Sequence, residues 1–238
     1  MLVTIRRQLS SNADPEYKKG GVNFFKEPIK LYGVRTPVVR KICAANFAAV
    51  KHLRKEEIFK RCEDLLKSNY HEEAIIAFDW ARRINKLYAV SDFKIFEKWL
   101  NSYVTNWAMD DDFCAHAFGL LIIKYPRLLK STKFWLTSKN RWLRRASAVI
   151  MIPLIRHDKK YIGEIPKIAD ALLLDPDDLA QKGYGWMLKV ASEHDQKMVF
   201  DFIMKRKNIM PRTALRYAIE KMPAKMKKQA MSNNTSNR

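Results

Sequence analysis

The sequence predicts an all-α protein, a superhelical solenoid of antiparallel helix pairs. Apolar residues recur three and four positions apart along most of the chain, as in helices with one buried face, and no segment has the pattern of a convincing strand. Only seven glycines and nine prolines occur among the 238 residues, too few for an architecture built on many tight turns. The first helices of successive pairs begin about 35 residues apart, a spacing found in helical repeats.

Start signals and apolar spacing place the individual helices. Thr36 followed by Pro37 predicts a helix start, because threonine caps the first turn and proline suits the first helical position. Ser91 and the pair Asp175-Pro176 are expected to cap two later helices. The predicted helices cover residues 36–47, 55–67, 72–84, 91–100, 106–123, 128–136, 140–156, 161–174, 179–192, 198–205 and 211–221.

These helices are predicted to form a single domain, 1–238, with an ordered core of about 22–223. The opening residues 1–21 are weakly patterned, and 224–238 are basic and then polar, as in a frayed tail. The period is typical of HEAT-like and ARM-like repeats, whose stacking creates an extended concave surface. The tryptophans Trp80, Trp99 and Trp135 are interpreted as core residues.

The charge balance indicates the kind of partner. With 45 Lys and Arg against 25 Asp and Glu, the chain carries a formal charge of +20 and a pI of about 9.9. Such a basic chain favours nucleic acid as partner. An anionic membrane would instead call for an amphipathic surface helix or a lipidation signal, and the sequence has neither. A third hypothesis, a helical scaffold for acidic proteins, predicts no affinity for DNA.

Other function classes find little support in the sequence. Three cysteines at unrelated positions and five scattered histidines suggest neither a disulfide framework nor a metal site. No apolar run approaches the length of a membrane span. The residues after Met1 lack the order of a secretory signal. We therefore expect a cytoplasmic, nucleoid-associated protein without metal or cofactor.

A run of three carboxylates, Asp110 to Asp112, follows Trp107 in this basic chain. If the stretch opens a helix, Trp107 and Asp111 lie one turn apart on the same face. One interpretation is a solvated helix start, where acidic residues complement the helix dipole. The other is an isolated anionic site on a protein that binds polyanions. The residues alone leave both interpretations open.

Two later stretches place cations at corresponding positions of predicted first helices. Arg141, Arg144 and Arg145 lie at a helix start, where each opposes the dipole at a cost of a few tenths of a kcal/mol. Such a local violation often marks a functional site. Stacked repeats would align these arginines with the acidic stretch and with a third group along one face. That third group is Lys182, Trp186 and Lys189.

From about Phe24 to Pro223 the sequence resembles the DNA alkylation repair glycosylases of the AlkD type, a family with a HEAT-like solenoid fold. The resemblance implies a monomeric enzyme that needs no cofactor and removes N3- and N7-alkylated purines from duplex DNA without base flipping. The matching motifs, in chain order, are Tyr32-Gly33-Val34-Arg35-Thr36-Pro37, Asn106-Trp107 with Asp111, Trp142-Leu143-Arg144-Arg145, Gly185-Trp186, and Met210-Pro211-Arg212 with Leu215-Arg216-Tyr217-Ala218.

The resemblance also implies roles for individual residues. Asp111 matches the catalytic aspartate, with Asp112 as the fallback if the register shifts by one. Trp107 and Trp186 match the two tryptophans of the cleft. A carboxylate at this position stabilises the oxocarbenium-like sugar that forms as the cationic purine leaves.

The remaining matches concern DNA binding. Arg145, with Arg144 as alternative, would hold the phosphate backbone, and further DNA-binding candidates are Arg141, Lys182, Lys189, Phe25, Arg212 and Arg216. Three positions depart from the family pattern. Ala108 replaces an aspartate, Phe25 replaces a tyrosine, and Lys189 replaces an arginine. These departures keep open the alternative of a non-catalytic protein that binds DNA structures on the same scaffold.

Overall fold

The structure is a computed structural model that describes residues 1–232. Within this range the regular structure is helical, apart from an isolated bridge between Lys30 and Tyr70. The all-α fold class is therefore confirmed. The α-helices are α1 (Leu2–Ser11), α2 (Pro15–Phe24), α3 (Thr36–Ala48), α4 (Lys55–Leu66), α5 (His71–Arg83), α6 (Asp92–Tyr103), α7 (Trp107–Asp112), α8 (Gly119–Lys124), α9 (Arg141–Val149), α10 (Met151–His157), α11 (Ile165–Ala171), α12 (Asp178–Ser192), α13 (Gln196–Arg206), α14 (Arg212–Ala218) and α15 (Ala224–Met231).

The remaining helical segments are short or irregular. A π-helix, Phe113–Phe118, joins α7 to α8, and 3₁₀ segments cover Asn85–Leu87, Pro126–Thr137 and Lys159–Glu164. The helix predicted over 128–136 is thus 3₁₀ rather than α-helical. The helix predicted over 140–156 is broken after Val149. Pro153 explains the break, because its ring occupies the space of the carbonyl four residues earlier, at Val149, and it has no N–H to bond it.

The chain divides into two compact units, Met1–Tyr125 and the part that begins at Pro126. In the first unit α5 is central and packs against α3, α4, α7 and the π-helix. In the second unit α12 is central and packs against α9, α13 and α14. The single-domain organisation and the stacking of helix pairs into a solenoid stay predictions.

Two of the predicted caps are wrong in detail. The N-cap of α3 is Arg35, and Thr36 is already the first residue of the helix. The N-cap of α12 is Asp177, whose carboxylate accepts N–H groups of the first turn. Asp175 lies outside the helix because its carboxylate pairs with Arg144 instead. Ser91 does occupy the N-cap position of α6, but its side chain makes no capping hydrogen bond.

Helices extend beyond the predicted core of 22–223 at both ends. In α1, Ile5 and Leu9 lie one turn apart and are fully buried, which anchors a stretch that looked weakly patterned. In the predicted tail, α15 is present, and buried Lys207 donates to the carbonyls of Gln229 and Ser232 at its end, each at 3.0 Å. Residues 233–238 of that tail lie outside the described part of the chain. Trp80, Trp99 and Trp135 are core residues, as predicted.

Candidate functional site

The acidic stretch does begin a helix, and Asn106 defines its start. The Oδ1 atom of Asn106 accepts the N–H of Met109 at 3.0 Å, so the side chain caps α7. Trp107 is then the first helical residue, and Asp111 follows one turn later on the same side. Both side chains are half-buried, whereas Asp110 between them is 0% exposed.

Trp107 belongs to a group of four rings, which we name the aromatic cluster: Phe24, Phe25, His71 and Trp107. The rings of Phe25 and Trp107 stack with centroids 5.5 Å apart and planes at 29°. Phe24 meets Trp107 edge-on at 5.7 Å, although 68% of its surface is exposed. The ring of His71 lies 5.9 Å from that of Phe25. Phe24 and His71 were missing from the candidates that the sequence suggested.

The aromatic cluster lines an open cleft of about 630 Å³ in the first unit. Its other lining residues come from α2, from the segment 31–36 and from the starts of α5 and α7. Ala108 also lines this aromatic cleft, at the position where the family pattern has an aspartate. A methyl group there leaves this part of the lining without a carboxylate.

One side of the aromatic cleft is held by a buried carboxylate. Glu72, 2% exposed, accepts the backbone N–H groups of Tyr32 at 3.0 Å, Gly33 at 2.8 Å and Val34 at 3.1 Å. Three bonds from one carboxylate fix the segment before α3, since hydrogen bonds to a charged acceptor are the stronger kind. The motif that begins at Tyr32 therefore has a structural role in shaping the cleft.

His71 is the polar ring of the aromatic cluster. Its backbone N–H donates to the carbonyl of Lys30 at 2.9 Å. Its ring lies in the lining of the cleft. Burial lowers the pKa of His71 below its usual range, so the ring is neutral at neutral pH. Its Nδ1 atom is buried and makes no hydrogen bond within residues 1–232. From the sequence alone nothing distinguishes His71 from the other histidines.

Asp112 points to a different set of partners. Its carboxylate lies 3.1 Å from Nδ1 of His116 and 3.7 Å from Nη2 of Arg40. The π-helix begins at the next residue, and its Phe113 is fully buried and stacks on Phe78 at 4.4 Å. This stacking anchors the end of α7, and π-turns of this kind are frequent at functional sites.

In the second unit, the three arginines of α9 all contact protein groups. Arg144 donates to Asp175 at 2.6 Å and to the carbonyl of Ser138 at 2.9 Å. Arg145 is 5% exposed and donates to the carbonyl of Leu179 at 2.5 Å. Arg141 pairs with Asp177 at 2.5 Å. Their predicted roles at phosphates remain predictions, and these contacts explain how cations are tolerated at the start of α9.

The candidates of α12 are partly buried, and those of α14 are exposed. Lys182 pairs with Asp178, and Lys189 with Glu220, each at 3.0 Å. Trp186 is half-buried, unlike the core tryptophans of this protein. Arg212 and Arg216 are exposed on α14.

Gly185 explains why α12 and α14 approach each other closely. A Cβ atom at this position would lie 2.8 Å from Cβ of Tyr217 and 2.9 Å from the carbonyl oxygen of Ala214. Only a glycine allows this contact without a shift of one helix. The pair Gly185-Trp186 therefore joins a packing residue to a half-buried tryptophan.

Residues 1–232 also bear on two other kinds of site, a metal centre and a membrane span. Within residues 1–232, no group of three or more His, Cys, Asp or Glu side chains is arranged to hold a metal ion. None of the helices in that range combines the length and the apolar character that crossing a bilayer requires.

Comparison with known proteins decides the family. Residues 5–222 match the sequence profile of the family described as DNA alkylation repair enzyme. The chain belongs to this family. A solved structure described as a predicted DNA alkylation repair enzyme from Enterococcus faecalis superposes with a TM-score of 0.77. The match covers 90% of this chain and 98% of that chain at 15% sequence identity, so it shows the family's fold. No curated protein matches the sequence.

Proposed function

We propose that this member of the DNA alkylation repair family is a DNA glycosylase that excises N3- and N7-alkylated purines from duplex DNA, without base flipping. One observation carries the proposal. Asp111 lies one helical turn from Trp107, a partly exposed tryptophan in an aromatic cleft of about 630 Å³. A formal charge of +20 supports a polyanionic substrate. Such an enzyme is expected in the cytoplasm with the nucleoid.

The proposed chemistry is electrostatic. An alkylated purine is a cationic leaving group, so its departure transfers positive charge to the deoxyribose. A carboxylate about 4 Å from that sugar stabilises the charge by roughly 4 kcal/mol at an effective dielectric constant near 20. Because roughly 1.4 kcal/mol corresponds to tenfold in rate, this single interaction supports an acceleration of about a thousandfold. Asp111 can also orient the attacking water.

The aromatic cluster supplies the second part of the mechanism. The rings of Phe24, Phe25 and Trp107 offer apolar faces against which a deoxyribose can pack, and they exclude bulk water from its surroundings. Removing water lowers the local dielectric constant and strengthens the effect of the nearby carboxylate. We further propose that Trp186, Lys182, Lys189, Arg212 and Arg216 of the second unit contact DNA. Arg141, Arg144 and Arg145 remain candidates for the phosphates there.

A second candidate function is DNA-structure binding without catalysis. Ala108 and Phe25 favour it, because the lining of the aromatic cleft lacks the carboxylate and the phenol that the family pattern places there. Lys189 also replaces the fork of an arginine with a point charge. In this alternative the cleft would recognise a distorted duplex, and Asp111 would have no chemical role.

Single-turnover release of 7-methylguanine from methylated duplex DNA distinguishes the two functions. The variants to compare with the wild type are Asp111→Asn and Asp112→Asn, which remove the same charge from neighbouring residues. We expect Asp111→Asn to slow release by about a hundredfold or more, the size typical of losing one preorganised electrostatic group. Asp112→Asn is expected to retain most of the activity, because its carboxylate pairs with Arg40 and His116.

Each other result has a defined meaning. Release that survives in Asp111→Asn but not in Asp112→Asn would move the catalytic role to Asp112. If both variants still release the base, neither carboxylate is needed for the reaction. No release by the wild type, with duplex binding intact, would establish the binding function instead.

A further inference from the structure

A second polar pocket lies in the first unit, beside the helix that carries Asp111. It has a volume of about 340 Å³ and combines residues of α3, of α5 and of the helical stretch from α7 into the π-helix. We call it the arginine pocket, and its lining residues are Arg40, Phe78, Asp79, Arg82, Asp112 and His116. Apart from Asp112, the fallback for the catalytic aspartate, neither the resemblance nor the proposed mechanism uses its residues.

Asp79 forms the fixed base of this pocket. It is 5% exposed, and its carboxylate accepts from Nη2 of Arg82 at 2.6 Å, Nε of Arg83 at 2.5 Å and Sγ of Cys43 at 2.9 Å. Burial alone would raise the pKa of Asp79, but the hydrogen bonds from Cys43, Arg82 and Arg83 hold it at about 2. Asp79 is therefore ionised at neutral pH and fixes two guanidinium groups on its own side of the pocket.

Arg40 is held much more loosely. Its Nη1 lies 3.8 Å from Asp79 and its Nη2 lies 3.7 Å from Asp112, both beyond hydrogen-bond range. Within the described chain this guanidinium makes no hydrogen bond, and 48% of its side-chain surface is exposed. Its N–H donors are thus available to a ligand in the pocket.

The cluster also carries an excess of positive charge. Three guanidiniums, those of Arg40, Arg82 and Arg83, surround two carboxylates, those of Asp79 and Asp112, although Arg83 pairs with Asp79 from outside the lining of the pocket. The network as a whole therefore has one more guanidinium than carboxylate. Planar guanidinium forks match the oxygens of a phosphate, which accept two parallel hydrogen bonds.

We propose that the arginine pocket binds one phosphate group of the DNA backbone, with Arg40 as the residue that closes on it. This inference rests on the proposal that duplex DNA is the partner, and it does not require excision. The pocket shares Asp112 with the helix that carries Trp107 and Asp111, so a phosphate bound there would position the strand relative to the catalytic residues. Arg40 is then a positioning residue.

Salt titrations of binding to an undamaged duplex test this site. Each phosphate contact contributes about 0.9 to the slope of log affinity against log salt. We expect Arg40→Gln to reduce the slope by about one and to weaken binding about tenfold. The matched control is Arg54→Gln on the N-cap of α4, which removes the same charge from a side chain that is 81% exposed and paired with Glu57. Its slope should equal that of the wild type.

A further variant, Arg40→Lys, distinguishes the effect of the charge from that of the guanidinium fork. It should restore the slope, because the charge is back, but recover the affinity only in part, because lysine lacks the fork. If Arg40→Gln has the wild-type slope, or if Arg54→Gln loses as much, the proposal is wrong. A wild type that does not bind duplex DNA overturns it as well. A changed slope in a protein that releases no base would leave the phosphate site standing and refute only the glycosylase.

Discussion

Gly33→Ala is a test of how the aromatic cleft is built. Gly33 has φ of +94°, a conformation that L residues with a side chain rarely adopt. An added Cβ would lie 2.6 Å from Cβ of Lys18 and 2.8 Å from the carbonyl oxygen of Asp14. The N–H of Asp14 also donates to the carbonyl of Gly33 at 2.9 Å, so α2 and the segment 31–36 are held in direct contact. The alanine would force them apart.

The magnitude follows from these two effects. A left-handed backbone costs an L residue roughly 1–2 kcal/mol, and a crowded contact that must be relieved costs about 1–3 kcal/mol more. A total near 3 kcal/mol would lower the Tm by roughly 6–12 °C for a chain of this length. Because α2 ends at Phe24 and leads into Phe25, the displacement would also separate these rings from Trp107.

The matched control is Gly20→Ala in α2, the helix whose start Gly33 contacts. A Cβ at Gly20 meets no heavy atom within 4 Å in the described chain, so this change should stabilise α2 by about 1 kcal/mol. Thermal unfolding followed by circular dichroism measures the stability of both variants. Single-turnover base release, measured at a temperature below the unfolding transition, shows whether the cleft remains active. If Gly33→Ala unfolds at the wild-type temperature and retains full activity, the contact does not shape the cleft.

Two further predictions concern buried charges. The pKa of Asp79 is about 2 in the folded protein and about 4 in the unfolded chain. Its ionisation therefore adds roughly 2–3 kcal/mol to the free energy of unfolding above pH 4, and this contribution is lost as the pH falls through 2. Urea unfolding between pH 5 and 2 should show this pH dependence in the wild type and a reduced one in Asp79→Asn; equal curves would contradict the assignment. Lys207→Met should loosen α15 through loss of the bonds to Gln229 and Ser232. Hydrogen exchange should then be faster in α15 and unchanged in α12, and an unchanged α15 would refute the role of Lys207.

Most of the helices could be predicted because their signal is local. The apolar spacing of Ile58, Phe59 and Cys62, for example, defines the buried side of α4 without knowledge of any partner. Helix α15 at the C-terminal end was not predicted for the opposite reason, because the contacts of Lys207 that hold it come from another part of the chain and no local pattern reveals them. At the other end, Ile5 and Leu9 of α1 do lie four residues apart, so that pattern is local but short.

The candidate site shows the same division. The pair Trp107 and Asp111 could be predicted, because four residues make one helical turn. Phe24 and His71 could not, since Phe24 contacts Trp107 and His71 contacts Phe25 from other helices. The partner of Arg144 was missed as well, because Asp175 lies 31 residues further along the chain. Cations at the start of α9 oppose the helix dipole, and pairing of Arg144 with Asp175 offsets part of that cost.

The three consecutive aspartates now have three different environments. Successive residues of a helix point roughly 100° apart, so three carboxylates in a row cannot share one face. Asp110 points inward and is 0% exposed, while Asp112 points to Arg40 and His116. The side chain of Asp111 lies on the same face of the helix as that of Trp107. The sequence leaves Asp111 and Asp112 as alternatives, whereas the helix geometry favours Asp111. Comparing Asp111→Asn with Asp112→Asn therefore removes the same charge from two differently placed carboxylates, and a difference in base release identifies the one that acts on the sugar.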